Sequence, residues 1–283
     1  MTANNVIMST YMLSENTPQR KFGGSERRIL GHLAALEKPV ITAADLGIVV
    51  GGREAANLIL SRLARKGWLL RLRRGAYSVV PLSSASLTPS LEDPLAAAMG
   101  LFAPCYISGW TAAQRWDLTE QVFNSIAVYS ARPQRRSSQT VGGLNFQVRS
   151  VRPETVFGTT RVWSGTMAVE FATIHRTLLD VLDVPDMGGG GRQALEIAKA
   201  YWAKPEASPD TLFELALRLG RGSVFKRLGF TAELFGKPRP AWVEACRSKL
   251  SSGVSLLDPS GPTTGRIVSR WRLRLNIPVD DTR

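Results

Sequence analysis

Cysteine and histidine are nearly absent: the 283-residue chain holds two of each, Cys105 and Cys246, His32 and His175. The cysteines lie far apart and neither has a Cys or His neighbour at ligand spacing, which argues against a disulfide framework and a structural zinc site. Long apolar runs are missing too. No uncharged stretch approaches the roughly 20 residues needed to cross a bilayer, and the N-terminus lacks the basic-then-apolar pattern of an export signal. The expectation is a cytoplasmic protein with no membrane partner. Acidic residues are scarce beside basic ones, 23 Asp+Glu against 36 Lys+Arg, for a formal charge of +13. What is plentiful is apolar material: 44% hydrophobic residues, with seven Trp and ten Phe, enough for a packed core and too much for intrinsic disorder.

The positive charge is concentrated. Residues 21–82 hold 11 Lys+Arg and 4 Asp+Glu, an excess of +7, whereas 83–283 hold 24 and 18, an excess of only +6. A compact basic module joined to a larger, milder one fits nucleic-acid binding by the first, because phosphate contacts and counterion release need concentrated Lys and Arg. A merely soluble basic surface gives the same totals.

Residues 1–23 are polar, lack periodicity and end in Gly23-Gly24, and read as a flexible leader. From Ser25, a candidate N-cap, Ile29, Leu30, Leu33 and Leu36 follow helical spacing up to Lys38-Pro39. Thr42-Ala43-Ala44-Asp45 has the form of a capping box, with Ile41 placed to staple onto Leu46, and opens a short second helix. After Gly51-Gly52, Arg53 to Lys66 carries Ala56, Ile59, Leu60 and Leu63 on one face and stops at Gly67. Trp68 to Val79 alternates around Arg73-Arg74-Gly75 as a β-hairpin.

Three short helices and a basic-tipped hairpin over residues 24–82 describe a winged helix-turn-helix, whose last helix is the one that enters the DNA major groove. Off its apolar stripe lie Arg53, Asn57 and Ser61, with Arg62, Arg65 and Lys66 near its end. Arg pairs bidentately with guanine and Asn with adenine, so Arg53 and Asn57 are the base-reading candidates. Arg65, Lys66, Arg71, Arg73 and Arg74 are candidate phosphate or minor-groove contacts. The competing reading is a solvated helix face on a protein-docking winged helix.

Residues 83–94, rich in Ser, Thr and Pro, read as a linker, and 95–283 as a larger α+β domain with its helices gathered late. There, 123–130 and 144–151 alternate as strands, and the basic Gln134-to-Gln139 stretch between them suggests a hairpin with a basic loop. Val162 and Met167 to Phe171 add short strands. Helices are expected from Thr173 to Leu182, Arg192 to Trp202, from Ser208-Pro209, and from Val224 to Phe235.

Several blocks, in this order, resemble the AbiEi family of type IV antitoxins: Gly67-Trp68-Leu69 through Arg73-Arg74-Gly75-Ala76-Tyr77, Tyr106-Ile107-Ser108-Gly109-Trp110-Thr111-Ala112, Arg176-Thr177-Leu178-Leu179-Asp180, Lys226-Arg227-Leu228-Gly229-Phe230, and the tail from Leu257-Asp258-Pro259 to Trp271-Arg272-Leu273. The resemblance departs at Thr173-Ile174-His175, where an acidic or Pro-containing helix start is expected. It implies an operon repressor that binds inverted repeats in double-stranded operator DNA through a winged helix. It also implies antitoxin activity in the C-terminal domain, a nucleotidyltransferase-like toxin as functional partner, and a setting in phage defence. An antitoxin that contacts the toxin directly, with the winged helix as docking module, is the alternative.

Catalytic constellations are not legible. Gly188-Gly189-Gly190-Gly191-Arg192 precedes a helix but lacks the ending of a P-loop, and reads as a flexible helix entry. His175 stands near Asp180 and Asp183 with no nucleophile, Glu154 and Glu170 belong to no nuclease set, and Asp180, Asp183 and Asp186 read as a solvated helix face. Cys105 reads as a small buried hydrophobe. No enzyme activity, cofactor or metal is expected. The remaining basic clusters are Arg132, Arg135 and Arg136, Lys226 and Arg227, and Arg270, Arg272 and Arg274, the last alternating with Trp271, Leu273 and Leu275 like an edge strand.

Overall fold

A computed structural model describes residues 24–80, 93–164 and 167–279. The expected leader therefore lies outside the described residues, as does all of the expected linker except Asp93 and Pro94. Those two belong to a helix start: the Asp93 carboxylate accepts from the amides of Leu95 and Ala96 at 3.0 and 2.9 Å, and Pro94 occupies the first helical position.

The N-terminal module runs α1 (Gly24–Ala35), β1 (Ile41–Thr42), α2 (Ala43–Val50), α3 (Arg53–Arg65), β2 (Leu69–Arg73) and β3 (Ala76–Val79). Ser25 is already inside α1 and is not its cap. At α2 the capping box forms, the Asp45 carboxylate accepting from both the amide and the hydroxyl of Thr42 at 2.8 Å. Ile41 and Leu46 are fully buried in one cluster with Leu33, Leu60, Leu63 and Trp68, as the staple requires. The wing departs from simple alternation. Leu69 faces the helical core while Leu70, Leu72 and Ala76 pack on the other domain, and a bulge between Arg71 and Arg73 shifts the register so that Arg73 stands opposite Ala76.

The rest of the chain is α+β, as expected. It contains α4 (Pro94–Phe102), β4 (Cys105–Ile107), α5 (Gly109–Arg115), β5 (Ile126–Ser130), β6 (Ser138–Val141), β7 (Leu144–Ser150), β8 (Thr159–Ser164) and β9 (Met167–Ala172). These strands form a six-stranded sheet in the order β6-β7-β5-β4-β9-β8. The hairpin expected between 123–130 and 144–151 is not there: β5 and β7 run parallel. The basic loop carries the chain away to an additional strand, β6, which turns back through Gly142 and Gly143, both at positive φ, to pair antiparallel with β7.

Then come α6 (Ile174–Asp183), α7 (Gly191–Trp202), α8 (Pro209–Leu219), α9 (Gly222–Thr231) and α10 (Pro240–Arg247). Thr173 and Ser208 cap α6 and α8 through their hydroxyls, and α9 runs into a π-helical turn at Ala232–Gly236. α6 is the hub, packed against α5, α7, α8 and α9. A small sheet of β10 (Ser255–Leu256), β12 (Leu273–Leu275) and β11 (Arg266–Val268) closes the chain. β12 is its central strand, which corrects the edge-strand expectation: it pairs with β10 on one side and β11 on the other, while Trp271 and Leu273 pack into the helical core.

Most blocks that carry the family resemblance hold the fold. Arg176 and Asp180 form a buried ion pair at 2.9 Å, Arg176 also donates to the Tyr106 hydroxyl at 2.9 Å, and Ser108 donates to Asp180 at 2.8 Å. Two blocks 70 residues apart thus meet inside the protein. Asp180 is therefore not on a solvated face. Asp183 pairs with Arg221, and Asp186 accepts from Ser260 at 2.7 Å. Lys226 and Arg227 are buried as well. Lys226 donates to the Gly253 carbonyl at 2.9 Å, and Arg227 to those of Leu182 and Leu256, both at 2.8 Å, fastening the small sheet to the helices. Gly229 admits the Trp271 ring so closely that a Cβ there would fall 2.0 Å from it.

Candidate nucleic-acid interface

The interface candidates start on α3. Its buried residues are Ala56, Leu60 and Leu63, and the helix face turned from that core is open to solvent. Arg53, Asn57 and Arg65 are exposed on it and Ser61 is half-buried. Among the described residues, Arg53 and Arg65 form no ion pair with any carboxylate.

Arg62 and Lys66 are engaged elsewhere. Both reach back to Glu26 on α1, a buried carboxylate, at 3.9 and 2.6 Å respectively, although each keeps about half its side-chain surface exposed (52% and 46%). They brace α3 against α1 while still presenting charge. Sequence spacing gives no hint of this brace, because Glu26 lies 40 residues from Lys66 and its burial is a tertiary fact.

On the wing, Arg71 and Arg74 are exposed. Arg73 is not equivalent to them. The bulge turns it inward, and its guanidinium donates to the Leu101 carbonyl at the end of α4. Burial, and then the neighbouring Arg132, draw it down from its ordinary value. Arg73 is thus a tie between the wing and the second domain.

That tie borders an open cleft of about 770 Å³ lined by Leu72 and Arg73 of the wing and by Arg132, Gln134, Arg135 and Arg136 of the β5–β6 loop. The loop arginines, which sequence cannot place, are thereby brought beside β2. None of the three pairs with a carboxylate among the described residues. The other basic clusters do not join them: Lys226 and Arg227 are buried, Arg270 pairs with Glu233 at 2.9 Å, and Arg272 and Arg274 lean on the Ser251 and Gly265 carbonyls at 3.3 Å.

Residues 28–80, the module just described, match the family of transcriptional regulators named AbiEi antitoxin. The N-terminal module is similar to AbiEi antitoxin regulator domains. The match puts the AbiEi domain among antitoxin transcriptional regulators and bears out the resemblance carried by the wing residues. No curated protein sequence matches the chain. Among solved structures, the crystal structure of the RV2827C protein from Mycobacterium tuberculosis is similar at 18% identity and a TM-score of 0.60, over 90% of this chain and 92% of that one. At that identity the likeness concerns the fold alone.

Other groups singled out in the sequence have internal partners or are buried. Among the described residues no group of His, Cys, Asp and Glu is placed to hold a metal, and no helix is long and apolar enough to cross a membrane. The glycine-rich entry to α7 has its terminal amide satisfied internally, Gly191 donating to Asp258 at 3.0 Å. His175 is within 2.7 Å of the Tyr201 hydroxyl, and burial lowers its pKa. Cys105 and Cys246 are buried thiols pushed up to about 12.

One exposed residue on α3 escapes a reading based on polar side chains. Leu58 is 74% exposed, a leucine on the open face of the helix. Its offset from the Ala56, Leu60 and Leu63 stripe is the signal that marks it.

Proposed function

We propose that the chain is a type IV antitoxin that represses its own operon by binding inverted-repeat promoter DNA through the AbiEi domain, without catalysis. The observation that carries the reading is the open face of α3, where Arg53, Asn57 and Arg65 are exposed, as are the wing arginines Arg71 and Arg74. Arg53 and Asn57, at the N-terminal end of the helix, read base edges, while Arg65, Lys66, Arg71 and Arg74 contact phosphates. The cleft arginines Arg132, Arg135 and Arg136 offer a second set of phosphate contacts beside the wing. Antitoxicity towards a nucleotidyltransferase-like toxin is assigned to the C-terminal domain, in the cytoplasm.

The test is a salt-titrated binding measurement of the full chain on its own upstream DNA and on random duplex. Operator-selective binding with a steep salt dependence supports the reading. Weak binding indifferent to sequence overturns it and favours the winged helix as a protein-docking module.

A further inference from the structure

We propose that Leu58 is a specificity residue that reads the methyl group of a thymine in the major groove. This rests on the DNA-binding reading above and adds to it an apolar contact of defined chemistry. A single exposed leucine needs no explanation by itself. Its setting supplies one. Leu58 lies on the side of α3 away from Ala56, Leu60 and Leu63, one turn after Glu54, beside Asn57, and two turns before Arg65.

An apolar peptide docking on that face would have to desolvate Arg62 and Arg65 together with the leucine, at considerable cost. A DNA duplex satisfies both kinds of side chain at once. Its phosphates take the arginines, and its major groove offers one apolar feature, the C5-methyl of thymine, which apolar side chains contact. Ile48 and Val49 on α2 are also exposed, at 92% and 53%, so a surface shared between two copies of the chain is the rival explanation.

Deoxyuridine separates these cases, because it removes the methyl and nothing else. Each thymine of the upstream duplex is replaced in turn, and binding of the full chain is measured. Replacement is expected to cost about fourfold in affinity at one or two positions per half-site, the equivalent of about 0.8 kcal/mol for one buried methyl-sized group. Leu58→Ala should bind the unmodified duplex about fourfold more weakly and show no further loss at those positions, while Leu58→Ile should retain it. If uracil costs nothing at any position, or if Leu58→Ala keeps the penalty, the proposal fails. A change of oligomeric state in Leu58→Ala with the penalties intact would assign the surface to an interface between copies and also overturn it. Failure of the wild-type chain to prefer its upstream duplex over random DNA is seen before any uracil is introduced, and overturns the DNA reading along with this one.

Discussion

Arg73 and Arg74 are adjacent in sequence and differ in what they touch, which makes them a sharp test of how charge is used on the wing. Arg74 is exposed, whereas Arg73 donates to the Leu101 carbonyl in the second domain. Arg74→Ala is expected to weaken binding to every sequence alike and to reduce the salt slope by about one. Arg73→Ala should lower the unfolding free energy by about 1.5–3 kcal/mol, as for a hydrogen bond from a charged group, and leave the salt slope nearer its original value. On α3 the pattern differs again. Arg53→Ala and Asn57→Ala should each relax sequence preference by about 1–3 kcal/mol, and equal losses on operator and random DNA would remove either residue from base reading. The exposure of Arg53, Asn57 and Arg65 was legible, because they lie off the apolar stripe of α3. The inward turn of Arg73 was not legible, because it follows from a β-bulge that spacing does not show.

Secondary elements were legible to the extent that their ends carry local chemistry. The Asp45 capping box at α2, the Thr173 cap of α6 and the Ser208-Pro209 start of α8 all formed where residue types demanded them. Strand pairing was not legible, because β5 and β7 alternate equally well as parallel or antiparallel partners, and only the path of the 131–137 loop decides between them. Asp180 was misplaced for a related reason: Ser108, which donates to it, and Tyr106, which accepts from its ion-pair partner Arg176, lie about 70 residues away. The capping box gives a prediction at this scale. Burial of Asp45 opposes ionisation, but hydrogen bonds from Lys38 and Thr42 outweigh it and hold the carboxyl below the ordinary range. Since the folded value is depressed, the stabilisation is present above the unfolded value of about 4 and is lost as pH falls through the folded one. Asp45→Asn should therefore destabilise the winged helix by about 1 kcal/mol at neutral pH and flatten its acid dependence, measured by denaturant unfolding between neutral and strongly acidic pH.

At the scale of the whole molecule, the wing sheet is buried on both sides and so belongs to two cores. Leu69 and Tyr77 pack with the helices of the AbiEi domain, while Leu72 and Ala76, joined by Val40, pack with the core of the six-stranded sheet. Charge segregation and composition separate the chain into two modules, yet neither could reveal this shared layer, since an alternating wing reads the same whether its outer face meets water or protein. The layer is tight: a Cβ on Gly100 of α4 would lie 2.7 Å from both Cβ and Cγ2 of Val40. Because a β-branched side chain has little freedom to yield, Gly100→Ala must force α4 and the winged helix apart. It is expected to cost about 1–3 kcal/mol, as overpacking does, and to increase the radius of gyration by small-angle scattering. If the AbiEi domain reads DNA by itself, the variant keeps its preference for operator over random duplex. It loses only the share of the salt slope that Arg132, Arg135 and Arg136 contribute from across the cleft. Loss of the preference itself would mean that the second domain sets the orientation of α3 on the DNA, and that the two modules act as one reading head.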